Sequence, residues 1–159
     1  NLDRIVELAL PFLLESGLVD KEYIENNREW LSKVIDETRT GVDYLSQIPE
    51  EAELFLTEIE FAEPAEAAEE FKGDDVKLVF DTLKEKAFAR EELTEETVGE
   101  IFKELKNELD VGGRTIYHPT RLAITGKGSG PEMTSVISIF GAEEVAKRLD
   151  TALELAQNY

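Results

Sequence analysis

A repeated helical spacing of apolar residues restricts this chain more than any other feature. Val76, Val79, Phe80, Leu83 and Ala87 fall at i, i+3, i+4, i+7 and i+11, which places them on one face of a helix. Val98, Ile101, Phe102, Leu105 and Leu109 repeat the stripe, behind Thr94 as N-cap and the first-turn acids Glu95 and Glu96. Val145, Leu149, Ala152, Leu153 and Ala156 make another. Toward the start, Ile5, Leu8, Ala9, Phe12 and Leu13 predict a helix ended by Gly17. Ile24, Trp30, Leu31, Val34 and Ile35 predict a second, longer one, and Pro49 opens a short acidic helix through Leu54 and Phe55. No alternation of strand length is present, so the expected fold is all-α.

The Glu60 to Gly73 stretch is the expected subdomain boundary, because Pro64 and Ala65 precede Glu66, Ala67, Ala68, Glu69 and Glu70, a run poor in large core residues. No repeat of solenoid period is visible. Cysteine is absent, which excludes a disulfide scaffold and Cys-based metal or nucleophile chemistry and fits a cytosolic origin. The apolar run Leu8 to Leu14 contains Pro11 and is bounded by Glu7 and Glu15, far short of the roughly 20 residues a membrane span requires. With Asp3 and Arg4 before it, it does not read as a signal peptide either. A start at Asn1 suggests an excised piece with further motifs upstream.

The net charge of −19 argues against nucleic acid until its distribution is considered. Residues 112–131 carry no acid, yet contain Arg114, Arg121 and Lys127. In that window Pro119 is suited to opening a short helix with Arg121 on its first turn, and Gly126 to following its end. Gly126-Lys-Gly-Ser-Gly130 is a turn, and Pro131 is expected to open a helix through Val136, Ile137, Ile139 and Phe140 that stops at Gly141. Exposed N–H groups at such a helix start, beside Lys127 and Arg121, attract phosphate. The glycine spacing matches neither a Walker loop nor a dinucleotide fingerprint, so the residues alone favour an ordinary helix–loop–helix connection. His118 reads as a capping or packing residue. Glu91-Glu92 and Glu143-Glu144 read as solvated helix faces, and no metal-ligating or catalytic constellation is visible.

Pro119-Thr-Arg-Leu-Ala-Ile-Thr-Gly126, then Gly130-Pro131, then Ile139-Phe-Gly-Ala-Glu-Glu-Val-Ala-Lys-Arg-Leu149 resembles the C-terminal signature of bacterial-type glutamyl-tRNA synthetases, which are class I aminoacyl-tRNA synthetases. That family shows Pro-x-Arg-x-Ala-x-Thr-Gly, a Gly-Pro turn, then a Leu-Gly-Lys-Glu helix closed by Arg-Leu. Phe140 departs from the usual leucine. Pro11-Phe-Leu and the segment from Val42-Asp43 to Phe55-Leu56 resemble the helical domain that precedes it.

The resemblance implies a class I anticodon-binding bundle of two small helical subdomains. Residues 1–62 would be the C-terminal part of a truncated first one, and 63–159 the second. It implies anticodon recognition through Arg121 and the loop Lys127, Gly128, Ser129, Gly130, Pro131 and Met133. Arg114 and Lys127 are added from charge as phosphate contacts. Members restricted to tRNA-Glu commonly carry an arginine where this chain has Gly41, with Arg39 two residues earlier. The implication is a parent that also accepts tRNA-Gln, unless Arg39 takes over the reading. The parent is expected to be a monomeric cytoplasmic glutamate–tRNA ligase with no DNA or membrane partner. ATP and magnesium would be handled in a catalytic domain absent here, and the piece itself would be inactive and cofactor-free. Neither a His-x-Gly-His nor a Lys-Met-Ser-Lys-Ser type signature occurs. The competing expectation is an acidic helical protein–protein adaptor that ignores RNA.

Overall fold

The computed structural model describes residues 1–159, and every regular element in it is helical. The chain divides into two compact units, Asn1–Glu58 and Ile59–Tyr159. The residues just before the boundary expected at 62 and 63 already belong with the second unit, because the Phe61 ring meets Phe71 edge-on with centroids 5.8 Å apart.

In the first unit, α1 (Leu2–Ser16) starts where the Asn1 side chain accepts from Asp3 N at 3.0 Å. It buries Val6, Ala9, Leu10 and Leu13, and ends at Gly17, whose N–H returns to Leu14 O. The expected long second helix is instead two helices, α2 (Lys21–Asn26) and α3 (Arg28–Thr38). Asn27 explains the break. Its Nδ2 and its backbone N both donate to Tyr23 O at 2.9 Å, a local side-chain bond that competes with helix continuation. α3 buries Leu31, Val34 and Ile35 against α1 and α4 (Ile48–Leu56), which adds Ile48, Ala52 and Phe55. A single-turn 3-10 segment, Arg39–Gly41, follows α3.

The second unit comprises α5 (Pro64–Phe71), α6 (Asp74–Ala89), α7 (Glu95–Glu108), α8 (Gly113–Thr125) and α9 (Met133–Asn158). α9 packs against the other four, and its path is interrupted at Gly141, with φ 81 and ψ 169, where a helix end was expected. α5 lies in the stretch read as a boundary. It belongs to the core because Ala67, Ala68 and Phe71 are buried and the short alanines let α5 approach α9 closely. Phe71 leads on to Phe80, again 5.8 Å between centroids. The predicted stripes of α6 and α7 are the buried ones, Val76, Val79, Phe80, Leu83 and Ala87, then Val98, Ile101, Phe102 and Leu105, except that Leu109 caps α7 and is only half-buried. Each fully buried Leu, Ile or Phe is worth about 1.5–3 kcal/mol. Thr94 caps α7, its Oγ1 accepting from Thr97 N at 3.1 Å. No helix is long and apolar enough to cross a membrane.

Candidate nucleic-acid interface

α8 carries the acid-free window, and it starts earlier than the sequence suggested. The Gly112 carbonyl accepts from Thr115 N and Ile116 N, so the helix is already under way at Gly113 and Pro119 lies inside it. The spacing of the preceding stripe predicts a helix stop at Gly112-Gly113 with a left-handed glycine, but α7 ends at Glu108 and Gly112 is extended because it caps α8. Arg121 therefore falls well inside the helix and not on a first turn. Ile116, Pro119, Thr120, Ala123 and Ile124 face the core. The opposite, accessible stripe is Arg114, Tyr117, His118 and Arg121, at i, i+3, i+4 and i+7.

After Gly126 the chain turns out into solvent, and Lys127, Gly128, Ser129 and Gly130 are all exposed. Two side chains of α8 hold this loop. Arg121, itself half-buried, donates from Nη1 to Pro131 O at 2.7 Å, closing the loop from its far end. Thr125 Oγ1 accepts from Lys127 N at 3.2 Å, and lies 2.8 Å from Arg121 O and 3.0 Å from Lys127 O as acceptors for its proton. The result is a displayed backbone turn whose N–H groups and glycine surfaces a partner can approach.

The start of α9 differs from the expectation. The helix opens at Met133, after Pro131, and the exposed Glu132 stands at its N-cap. A carboxylate there repels phosphate, so this helix end is not the anion site anticipated. Met133 is 5% exposed and turned into the core, which separates it from the other loop residues expected to touch a partner. Ser135 bonds to the Glu95 carboxylate.

A third anchor went unread in the sequence. Arg148 of α9 is 2% exposed. Its Nη1 donates to Ile124 O at 2.6 Å, its Nε donates to Glu144 Oε1 at 3.0 Å, and its guanidinium lies 4.2 Å from the Phe140 ring centroid. It thus satisfies a carbonyl in the last turn of α8, immediately before the loop. Phe140, the one departure noted in the motif, supplies the aromatic face on which this guanidinium rests.

Electrostatics separate the surface of the second unit into two kinds of cation. Lys72, Lys77 and Lys84 each touch a carboxylate. Lys86 meets Glu108 at 2.7 Å, and Arg90 meets Glu100 at 2.8 Å and Glu104 at 2.7 Å. Hydrogen bonding to Glu108 and to Glu100 holds the Lys86 and Arg90 pKa values above their ordinary range. Arg114 and Lys127 have no such partner and stay available. His118 faces Glu70, Nε2 to Oε1 3.9 Å. In the first unit, Arg39 Nε is held by Asp36 Oδ1 at 2.8 Å, while Gly41 is exposed and a Cβ built on it meets nothing within 4 Å. The structure contains no group of His, Cys, Asp or Glu side chains placed to hold a metal ion.

Residues 4–153 match the family described as "Anticodon binding domain". Among curated relatives, the glutamate–tRNA ligase of Carboxydothermus hydrogenoformans is 39% identical over 152 residues, covering 94% of this chain and 31% of that protein. Glutamate–tRNA ligase 1 of Caldicellulosiruptor saccharolyticus is 34% identical over 150 residues, covering 94% and 31%. The chain therefore spans about a third of the length of these relatives. A crystal structure of a glutamate tRNA ligase from Elizabethkingia meningosepticum superposes with a TM-score of 0.72 at 20% identity, over 97% of this chain and 31% of that one, and so shares its fold.

Proposed function

The chain belongs to the anticodon-binding domain family, and on that premise we propose that it is the tRNA-anticodon-recognising portion of a glutamate–tRNA ligase. The observation that carries this is the latched turn Lys127–Gly130. It is displayed to solvent by Arg121 and Thr125 at the end of an acid-free helix, in a molecule of net charge −19. Unpaired anticodon bases expose their edges to backbone donors and acceptors, and glycines let them approach the main chain. The adaptor reading draws no support from the family match. Glutamate activation with ATP and magnesium, and transfer to tRNA, would be carried by other parts of such an enzyme, which we propose works as a cytoplasmic monomer.

Few cations face the RNA, so the isolated chain is expected to bind weakly and to select more than to hold. In the parent the rest of the enzyme raises the effective concentration at this end. Fluorescence anisotropy with an anticodon hairpin of tRNA-Glu is the direct measurement. Arg121→Ala frees the Pro131 carbonyl and the turn with it, and is expected to weaken binding about tenfold, in the range of one lost base-reading contact. A wild-type chain that binds a scrambled-anticodon hairpin equally well defeats this reading.

Discrimination between tRNA-Glu and tRNA-Gln is proposed to be relaxed. Gly41 offers no side chain to the third anticodon base, and Arg39 is engaged with Asp36. A Cβ at Gly41 meets nothing within 4 Å and Gly41 is exposed, so the side chain of Gly41→Arg can leave the backbone there without a clash at its root. The variant is expected to favour the tRNA-Glu hairpin over the tRNA-Gln hairpin by about tenfold or more, as a bidentate arginine does for its base. Rejection of the tRNA-Gln hairpin by the unmodified chain ends this part of the proposal.

A further inference from the structure

Beyond the first turn of α7, three acids and Lys106 lie on different flanks. Glu100, Glu104 and Glu108 recur at i, i+4 and i+8, and all three are engaged by Lys86 and Arg90. Lys106 lies on the other side of the helix, with no carboxylate partner, and its Nζ stands 5.0 Å from the centroid of the Tyr117 ring on α8. Tyr117 is 37% exposed and is backed by Phe102, with centroids 5.0 Å apart and planes tilted by 35°. Arg114 lies one turn before Tyr117 on the same face of α8, and Arg121 one turn after it.

From this arrangement we infer that Lys106, seated on the Tyr117 ring and flanked by Arg114, is a second RNA contact of this chain, a binding point for a phosphodiester of the backbone next to the bases read at the 127–130 turn. It rests on the anticodon-recognition reading and adds a handhold to it. The ring orients the ammonium without neutralising it, since an aromatic face attracts a cation but leaves its N–H donors free to bond an anion. A carboxylate in the same place would cancel the charge, as it does for Lys86. Glu100, Glu104 and Glu108 are occupied on the far flank and α8 itself carries no carboxylate, so of the acids near the approaching phosphate only the exposed Asp110, between the two helices, and Glu70, which faces His118, remain. A phosphate contact positions RNA without reading sequence, so its signature differs from that of the loop.

The test is a salt titration of hairpin binding by this chain, with matched and scrambled anticodons, for the wild type, Lys106→Ala, Lys106→Arg and Lys77→Ala. Lys77 is paired with Asp81 at 2.6 Å and controls for the loss of one positive charge anywhere on the molecule. Lys106→Ala is expected to weaken both hairpins by the same factor and to reduce the salt slope by about 0.7–0.9, one phosphate's worth. Lys106→Arg should keep the slope, and Lys77→Ala should leave it unchanged. An unchanged slope in Lys106→Ala, an equal effect in Lys77→Ala, or a loss confined to the matched anticodon overturns the inference. A wild type that does not distinguish the hairpins defeats the anticodon reading instead, and the Lys106 slope still decides the phosphate contact.

Discussion

Arg148→Ala is expected to cost about 3–5 kcal/mol, seen as a lower urea midpoint at unchanged slope by far-UV circular dichroism. The size follows from what the side chain does. Its Nη1 is the bond to Ile124 O, a carbonyl near the end of α8 that lies in the core with no water to replace the donor. An orphaned buried carbonyl costs about 1–3 kcal/mol. The cavity left beside Phe140 and the lost cation–π contact account for the rest. Arg148→Met separates the two contributions. Methionine refills the volume but can neither donate nor offer a cation to the Phe140 ring, so it should avoid only the cavity's share and lose the carbonyl bond and the cation–π contact, about 2–4 kcal/mol. Glu144→Gln is expected to cost under about 1 kcal/mol, because Glu144 reaches solvent and an amide oxygen still accepts from Nε. Methionine at wild-type stability, or Glu144→Gln as damaging as Arg148→Ala, would show that the Ile124 bond is not what holds this corner.

This anchor also bears on function. Arg148 and Arg121 are guanidinium groups of different helices that secure the two ends of one segment: Arg148 holds α8 just before the turn, and Arg121 holds the carbonyl of Pro131 just after it. Neither bond involves an acid from outside the region. The turn is thus held at both ends by bonds to main-chain carbonyls, with no carboxylate bonded to the turn itself, and the exposed Glu132 is the acid that follows it.

The helical stripes were legible because burial of α6 and α7 is dictated by residues within the same helix. Capping was legible for the same reason at Thr94 and Gly17. Failures occurred where a distant or competing group decides. Asn27 breaks a periodic stretch by bonding its own neighbourhood, which apolar spacing does not register. Pro119 was read as a helix start, since its ring suits a first turn. Here the Gly112 carbonyl had already nucleated α8, and the helix continues through the proline. Met133 was grouped with the loop by its position, but the first turn of α9 rotates it into the core. Arg148 carries no sign of its anchoring role beyond its place in the Arg-Leu motif, because its acceptor lies 24 residues earlier on another helix. The Arg114, Tyr117, His118 and Arg121 spacing is a helical signal in the sequence, masked by Pro119, whose ring suits a helix start. The Lys106 contact to Tyr117 is between helices and had no signature in the sequence.

Gly126→Ala is expected to be far more damaging than Gly17→Ala, although both glycines have almost the same backbone conformation. Each ends a helix in the left-handed region, at φ 78 and φ 80. An alanine at either position therefore incurs the same backbone strain, about 1–2 kcal/mol. A Cβ at Gly17 meets nothing within 4 Å, so the strain is all that Gly17→Ala should cost. At Gly126 the same Cβ collides with the Glu60 carbonyl oxygen. The obstacle is main chain, which cannot escape by changing rotamer, so either the segment around Glu60 or the end of α8 must shift, at about 1–3 kcal/mol more. Urea unfolding of the two single variants isolates that difference, since their shared strain cancels. If both lose the same stability within about 0.5 kcal/mol, the close passage of the Glu60 carbonyl beneath Gly126 is not a constraint on this fold. If Gly126→Ala is the weaker by the expected margin, its hairpin binding should fall as well. The displaced helix end is the base of the Lys127–Gly130 turn, and a turn proposed to read bases through its backbone cannot lose its footing and keep its geometry.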